Sequence, residues 1–248
     1  MNTTQLISER HLREFQDHGF TVLERIIPDD LLALLRDVAD RAVEQADAKA
    51  DAQGRPRTTK HFISAWHDYP ELKAFDFSPA MAQVVRAFVG DTAYLVFEQY
   101  VIKAAEKGGT FAWHQDSGYI AAHAAPDAPL YLTCWCALDD ITEENGTVYM
   151  LPYERAGGRE VVHHSQDEGD WDLVGYRGPD PGDPVICPAG SIAVFWSNVF
   201  HRSGPNTTST PRRVYLPQYA PAPIFKRDGS VFYLAEPFLR DGEIVAQV

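Results

Sequence analysis

The second half of the sequence is built from short segments in which apolar residues alternate with polar ones or follow one another directly. These segments lie at 92–103, 130–138, 147–151, 191–196 and 213–219. Turn-forming sequences separate them, such as Asn145-Gly146 and Pro188-Ala189-Gly190. Short apolar or alternating segments between turn residues are typical of β-strands. The pattern therefore restricts the chain from about residue 92 onward to a β-rich architecture.

Helical patterns precede this β-rich half. Ser8 is a favourable N-cap for a short helix that Gly19 ends, and Pro28 opens a longer stretch with apolar residues at helical spacing. Pro79 begins a further helix, with Gly90 just past its end. Helices followed by short strands predict a mainly β fold with flanking helices. The predicted fold is a double-stranded β-helix, a jelly-roll or cupin-like barrel that N-terminal helices buttress.

One domain accounts for residues 1–248. A chain of 248 residues that is 45% hydrophobic can bury a single sizeable core. We expect 1–90 to be mostly helical support, 91–220 to be the jelly-roll core and 221–248 to be a C-terminal cover. The stretch 162–184 is acidic and rich in glycine and proline, and it predicts a long irregular insertion that helps to cover a pocket.

His114 and Asp116 lie in an aromatic, strand-like stretch. Residues i and i+2 of a strand project from the same face, so this pattern places an imidazole and a carboxylate at one spot. His201 follows the apolar run 192–196 and can join them from a neighbouring strand. Two histidines and one carboxylate are the ligands of non-heme Fe(II) oxygenases, although catalytic zinc uses them too.

Arg212 stands eleven residues after His201, beyond a turn-rich segment at 203–211. The chain is expected to reverse there and to bring Arg212 back alongside the strand of His201. A guanidinium offers two parallel donors to a carboxylate. This spacing favours iron with a carboxylate-bearing cosubstrate over zinc.

Further motifs accompany these residues in a fixed order. They are DHGFTVL at 17–23, WHQD at 113–116, WCALDD at 135–140, ENG at 144–146 and HRSGPN at 201–206. Together they resemble the motifs of the phytanoyl-CoA dioxygenase family of Fe(II)/2-oxoglutarate oxygenases. The similarity runs from about residue 15 to about residue 220.

The resemblance implies which residues carry the chemistry. Catalytic Fe(II) ligands would be His114, Asp116 and His201, and Arg212 would bind the distal carboxylate of 2-oxoglutarate. Positions matching further cosubstrate contacts are Ser203, Trp135 and Lys103. The implied reaction uses O2, hydroxylates an aliphatic carbon of a small metabolite, and releases succinate and CO2. Desaturation, cyclisation or epimerisation would use the same residues.

The sequence departs from the family pattern at 151–155, where LPYER stands in place of the common Pro-Gly-Ser-His stretch. Substrate contacts made there by other members do not carry over. The carboxylate of Asp116 disfavours halogenation, because related halogenases have a small residue at that position.

Substrate contacts are predicted near the metal ligands. Candidates are the aromatic residues Phe111, Tyr119 and Trp196 and the cation Arg202. The remaining histidines lack a partner at ligand spacing, and we interpret them as non-ligands: His11, His18, His61, His67, His123, His163 and His164.

The formal net charge of −13, with no basic run longer than two residues, argues against nucleic-acid binding and gives no sign of a site for a polyanion the size of coenzyme A. No apolar stretch approaches eighteen residues and no secretory leader is evident, so we expect no membrane association and a cytoplasmic location. The three cysteines form no zinc or disulfide pattern. We expect a monomer or homodimer with a small-molecule substrate.

Two other functions are compatible with a cupin-like fold. One is a metal-dependent isomerase or hydrolase that needs no 2-oxoglutarate. The other is a non-catalytic jelly-roll that binds a metabolite and carries a vestigial triad. The intact triad together with Arg212 favours the oxygenase over both.

Overall fold

The computed structural model describes residues 7–106, 109–166 and 172–246. The helices are α1 Glu9–His18, α2 Asp29–Ala52, α3 Lys73–Asp76, α4 Pro79–Phe88, α5 Asp116–Ile120 and α6 Tyr153–Ala156. The strands are β1 Phe20–Leu23, β2 Lys60–Ile63, β3 Ala93–Lys103, β4 Phe111–His114, β5 Leu132–Ala137, β6 Val148–Leu151, β7 Ser165–Gln166, β8 Leu173–Val174, β9 Asp183–Pro184, β10 Ile192–Trp196, β11 Phe200–Ser203, β12 Arg212–Ala220, β13 Glu236–Arg240 and β14 Glu243–Ile244. The protein is mainly β with flanking helices, as the sequence predicts.

Most strands join one large antiparallel sheet in the order β1-β10-β5-β12-β3-β13-β14. β12 pairs with β3 along nearly its whole length, from Arg212 opposite Lys103 to Ala220 opposite Tyr94. The other edge of β3 is shared by β2 and β13. A smaller antiparallel sheet has the order β4-β11-β6-β9.

The large sheet is buried on both faces, and β5 shows how. Cys134 and Cys136 face the helices and join the core formed by α2, α4 and their neighbours. Trp135 and Ala137 face the other way, into a second core shared with β6 of the smaller sheet. Because successive side chains of a strand alternate between faces, one strand serves two layers. We call these surfaces the helix face and the cavity face of the large sheet.

The N-terminal helices begin and end where the sequence predicts. The Ser8 hydroxyl accepts a hydrogen bond from the backbone N–H of His11 and caps α1. Gly19 ends α1 with φ +88°, and a Cβ there would also lie 2.5 Å from the ring of Tyr153. α4 has Ser78 as its N-cap and Pro79 at its first turn.

The first 90 residues are largely helical and also supply β1 and β2 to the large sheet. Within 162–184, short strands β7 and β8 pair with each other and β9 pairs with β6; residues 167–171 lie outside the described part. Across the described ranges, no helix combines the length and apolar character needed to cross a bilayer.

Candidate active site

Three predicted metal ligands converge at the cavity side of the smaller sheet. His114, the last residue of β4, is the register partner of His201 in β11, and their ring centroids lie 4.1 Å apart. Asp116 Oδ1 lies 3.5 Å from His201 Nε2 and 3.9 Å from His114 Nε2. One donor atom from each residue can be chosen so that all lie within 4.8 Å of one another. Among the described residues, this is the one such group of histidine, cysteine and acidic side chains.

The carboxylate reaches the group by a different route from the one predicted. β4 ends at His114 and Asp116 is the first residue of α5, so the two do not alternate along one strand. The reason is Gln115, whose side chain donates to the carbonyls of Glu160 and Asn198. These bonds fix Gln115 between the strand and the helix, and the chain turns there toward the histidines.

Both histidines are oriented by backbone carbonyls. His114 Nδ1 lies 2.7 Å from the oxygen of Ala112, and His201 Nδ1 lies 3.1 Å from the oxygen of Val199. When each Nδ1–H donates to its carbonyl, each Nε2 keeps a free lone pair. Burial, and secondarily the neighbouring His201, lower the pKa of His114 well below its usual value. His114 is therefore neutral, the form that binds a metal.

Asp116 is held by two neighbours on the cavity face. Its Oδ2 accepts hydrogen bonds from the Thr133 hydroxyl at 2.6 Å and from the Gln218 amide at 3.2 Å. Oδ1 is left directed toward the histidines. Sequence reasoning missed Thr133 and Gln218. Strand alternation carries a signal for both, since Thr133 is two residues before Trp135 and Gln218 six residues after Arg212.

Arg212 is buried, with 1% of its surface exposed. Its guanidinium donates to the carbonyls of Gly146 at 3.1 Å and Val101 at 3.4 Å, while Nε has no partner. In the described ranges, no carboxylate lies within salt-bridge distance of it. Burial lowers its pKa to about 10, so it stays charged at neutral pH. A buried cation with a spare donor favours binding of an anion from solution.

An inner cavity of about 70 Å³ joins the metal ligands to Arg212. Trp135 and Ser203 also line it, and Arg212 lies over the Trp135 ring at 5.6 Å. Lys103 is fully buried next to Ser203. It donates hydrogen bonds to Ser203 Oγ at 2.7 Å and to the Gly204 carbonyl. Burial, followed by the charges of Arg212 and Lys60, lowers the pKa of Lys103 to about 6. Lys103 thus orients Ser203 rather than lining the cavity.

A second cavity of about 360 Å³, which we call the outer cavity, shares His114 and Asp116 with the inner one. Phe111 lines both cavities, and Tyr119 lines the outer one with its ring 5.2 Å from His114. The two cavities meet at the candidate metal ligands, which suits a site where a cosubstrate and a substrate approach one ion.

The other two candidate substrate residues are placed differently. Arg202 lines the inner cavity, but its guanidinium stacks on Tyr149 at 3.9 Å and donates to the carbonyl of Pro181. Trp196 lines neither cavity. Its ring packs 5.7 Å from Phe15, while its neighbour Phe195 faces His201 at 4.8 Å. Strand alternation in β10 sends Trp196 toward the helices.

The donor set fits a divalent metal ion. Two imidazole nitrogens and one carboxylate oxygen face one another, and the second polar atom of each ligand is already hydrogen-bonded. Three protein ligands of this kind, with further positions left open, are the set that Fe(II) oxygenases use.

The family model described as phytanoyl-CoA dioxygenase (PhyH) matches residues 15–214. The chain belongs to this family. The resemblance drawn from the motifs is thereby confirmed.

Curated relatives extend the comparison. A probable alpha-ketoglutarate-dependent hypophosphite dioxygenase of Stutzerimonas stutzeri is 25% identical over 229 residues, which cover 85% of this chain and 77% of that protein. An ectoine dioxygenase of Sphingopyxis alaskensis is 24% identical over 229 residues, covering 83% of this chain and 73% of the relative.

Solved structures share the fold. EvdO2 from Micromonospora carbonacea var. aurantiaca, complexed with 2-oxoglutarate, aligns with a TM-score of 0.67 and 24% identity, over 93% of this chain and 94% of that one. The non-heme alpha ketoglutarate dependent carbocyclase SnoK from nogalamycin biosynthesis aligns with a TM-score of 0.68 and 19% identity, over 90% and 87% of the two chains.

Proposed function

We propose that this member of the phytanoyl-CoA dioxygenase family is an Fe(II)- and 2-oxoglutarate-dependent oxygenase. It hydroxylates an aliphatic carbon of a small metabolite and releases succinate and CO2. The observation that carries the proposal is the shared inner cavity, where the metal-ligand group faces the buried guanidinium of Arg212. The curated relatives, named as dioxygenases, support it.

The residues of the site have different roles. His114 Nε2, Asp116 Oδ1 and His201 Nε2 would hold the iron, and Arg212 would bind the distal carboxylate of 2-oxoglutarate. Bound iron supplies the activation of O2 that no side chain can perform. Trp135 and Ser203 form the walls between them, and Lys103 fixes the Ser203 hydroxyl. The chain's own contribution is therefore orientation and charge.

The candidate metal ligands are already oriented before the cosubstrate binds. The two imidazoles are fixed by carbonyls and the carboxylate by Thr133 and Gln218, so little side-chain freedom remains to be lost. Apolar side chains of Val101, Val148 and Leu216 complete the lining of the inner cavity.

The finer features of the fold belong to the same proposal. The two antiparallel sheets share a core, and the solved structures with similar folds are 2-oxoglutarate enzymes, which supports a jelly-roll barrel. We retain one domain with mostly helical support at 1–90, the core at 91–220 and a cover at 221–248, and both flanking parts also add strands to the large sheet. A cytoplasmic location, the absence of nucleic-acid and membrane partners, and a monomeric or homodimeric state remain predictions.

The other functions predict different behaviour. An isomerase or hydrolase with another metal, or a non-catalytic binding protein, has no use for a buried cation that pairs with a second carboxylate. The arrangement of Arg212 and the family membership favour the oxygenase over both.

The test is Fe(II)-dependent formation of succinate from 2-oxoglutarate in the absence of substrate, which reports slow uncoupled turnover. We expect wild-type protein to form succinate and Asp116→Ala to form none. The matched control is Asp37→Ala, an exposed aspartate of α2, which should behave as wild type. Succinate formation by Asp116→Ala at the wild-type rate would contradict the iron site.

A further inference from the structure

The outer cavity has walls of one chemical character. Aromatic side chains from separate parts of the chain line it, namely Phe62, Phe97, Phe111, Tyr119, Tyr131 and Tyr233. Two pairs of these rings touch: Phe62 with Phe111 at 5.2 Å, and Phe97 with Tyr233 at 4.4 Å. Part of the cavity wall is thus made of aromatic rings that contact one another, edge to face in the first pair and tilted in the second.

Apart from the His114 ring and the tyrosine hydroxyls, the polar groups in these walls are neutral amides or acids. Gln99 and Gln218 supply amides, and Asp116 and Asp172 supply carboxylates. Among the described residues, no lysine or arginine lines the outer cavity. Away from the iron, an acidic group placed there would be desolvated against carboxylates and the electron-rich faces of rings, and no lysine or arginine among the described lining residues would pair with it.

We propose that the part of the substrate bound beside the iron is an apolar ring or chain without an acidic group, either uncharged or carrying an amine. This proposal rests on the proposed function and names the substrate class for the same site. Ring contacts supply the binding free energy, and the two amides are available to orient a hydroxyl or amine.

Three probes of equal size test it: cyclohexylmethanol, cyclohexylmethylamine and cyclohexanecarboxylate. Calorimetry would measure their binding to protein loaded with Co(II) and 2-oxoglutarate, a complex that does not turn over. We expect the alcohol and the amine to bind at least about tenfold more tightly than the carboxylate. Replacing a wall residue in Phe97→Lys should restore carboxylate binding, whereas the control Phe97→Leu should not.

Preferential binding of the carboxylate to wild-type protein would overturn the proposal, as would binding of none of the three. A different result would show that the oxygenase assignment itself is wrong. In that case the calorimeter would record no uptake of Co(II) or of 2-oxoglutarate before any probe is added.

A second inference concerns His164, which the sequence marks only as a non-ligand. It is buried, and its Nε2 accepts a hydrogen bond from the backbone N–H of Gln115 at 2.9 Å. Its Nδ1 lies 2.9 Å from the carbonyl oxygen of Val162 and donates to it. Gln115 is the residue between His114 and Asp116, so His164 holds the chain where the two ligands diverge.

The segment that carries His164 is tied to the site at a second place. The Gln115 side chain donates to the carbonyls of Glu160 and Asn198, and its Oε1 accepts from the N–H of Val162. Asn198 lies three residues before His201. Gln115 is therefore bonded both to the segment 160–164 and to the part of the chain that leads to His201.

The His164 ring has almost no freedom to move. A Cβ added to Gly118 would lie 2.2 Å from its Cε1, and one added to Gly175 would lie 2.5 Å from its Nε2. Gly118 belongs to α5, the helix that begins with Asp116. Space beside the ring, rather than backbone conformation, requires glycine at these two positions.

We infer that His164 is a positioning residue for the metal centre and acts through Gln115 to set Asp116 relative to His114. The inference rests on the proposed metal site. Hydrogen bonds that orient ligands from outside the coordination shell commonly change metal affinity by about 10- to 100-fold.

The variants His164→Leu and His164→Gln separate positioning from packing. Leucine fills space without an acceptor, whereas glutamine supplies an amide oxygen for the N–H of Gln115. The matched control is His163→Leu, at the exposed neighbouring position. Calorimetric titration with Co(II) alone would give the dissociation constant, and thermal unfolding of the metal-free proteins would report the fold.

We expect His164→Leu to bind Co(II) at least about tenfold more weakly, with an altered Co(II) visible spectrum. His164→Gln should recover most of the affinity, and His163→Leu should match wild type. Gly118→Ala, which displaces the ring without removing it, should also weaken binding. Wild-type affinity in His164→Leu would overturn the inference, as would a loss that glutamine does not repair. Absence of Co(II) binding in wild type would instead contradict the metal site itself.

Discussion

The two faces of the large sheet both bury ionisable groups, acids on one face and bases on the other. The helix face holds the carboxyl groups of Asp76 and Glu98, and the cavity face holds the basic side chains of Lys103 and Arg212. Burial raises the pKa of both acids and lowers the pKa of both bases. The same physical cause therefore acts on both sides of one layer.

The two faces differ in how the buried charge can be removed. Asp76 accepts a hydrogen bond from the Tyr215 hydroxyl, and Glu98 accepts from Ser64 and two backbone N–H groups. Each acid can become neutral by taking up a proton. Arg212, with a pKa of about 10, stays charged and keeps an unpartnered Nε. Asp76 Oδ1 and Glu98 Oε2 also lack hydrogen-bond partners, but protonation can remove the charge on these two acids. The charge on Arg212 is retained, so the cavity face needs an anion to balance it.

The largest expected effect is at Arg212. Arg212→Ala removes the cation that the 2-oxoglutarate carboxylate would pair with, and we expect its dissociation constant to rise about 100-fold. The control is Arg213→Ala, because Arg213 points away and pairs with Asp139 and Asp40. Calorimetric titration with 2-oxoglutarate measures both. An equal loss of 2-oxoglutarate affinity in Arg212→Ala and Arg213→Ala would contradict the difference between the two faces.

Next in size is Thr133→Val. Valine keeps the shape but cannot donate to Asp116 Oδ2, so we expect Co(II) affinity to fall about tenfold. The neighbouring Cys134→Ala alters the helix face of the same strand, and it should lower thermal stability while leaving the affinity for Co(II) unchanged. If Cys134→Ala bound Co(II) more weakly and Thr133→Val did not, the assignment of these two residues to the helix face and the cavity face would be wrong.

A smaller effect is the pH dependence of stability, which differs between the two faces. The raised pKa of Asp76 means that the folded protein holds this proton more tightly than the unfolded chain does. Its contribution to stability is complete below pH of about 4 and is lost as the pH rises toward the raised pKa. Asp76→Asn should therefore flatten the fall of the unfolding midpoint with rising pH, by about 2–4 °C. An unchanged pH profile would show that Asp76 is ionised in the folded protein.

The smallest effect is the contribution of Lys103 to the pH dependence of stability, and its sign is opposite to that of Asp76. The pKa of Lys103 is lowered to about 6, so between pH of about 6 and about 10 the unfolded chain binds this proton and the folded protein does not. Its contribution makes stability rise with pH across that window. Lys103→Met should remove the rise, about 2 °C in the unfolding midpoint measured without 2-oxoglutarate. A steeper rise in Lys103→Met would contradict the buried, neutral lysine.

Much of this arrangement follows from local rules that a single sequence carries. The caps at Ser8 and Gly19 placed α1, and period-two runs placed the long strands with errors of one or two residues. The motifs indicate His114, Asp116 and His201 as candidate ligands, and in the structure these three side chains lie close together. Strand alternation in β12 also puts Arg212, Val214, Leu216 and Gln218 on one face.

What the sequence could not supply depends on contacts between distant parts of the chain. Gln115 ends β4 because it bonds to residues more than forty positions away, and this moves Asp116 from a strand to a helix. Trp196 looked like a wall of the site, yet the register of β10 turns it toward Phe15. The role of His164 depends on two glycines, one from α5 and one from a separate segment.

The three metal ligands and the buried Arg212 are proposed to form one site for iron and 2-oxoglutarate. Anaerobic titration of Fe(II)-loaded protein with 2-oxoglutarate tests it most directly, by the visible metal-to-ligand charge-transfer absorption of chelated iron. We predict that the absorption appears and saturates in wild type and Arg213→Ala, and needs about 100-fold more 2-oxoglutarate in Arg212→Ala. Its absence from wild-type protein that has bound Fe(II) would contradict the account.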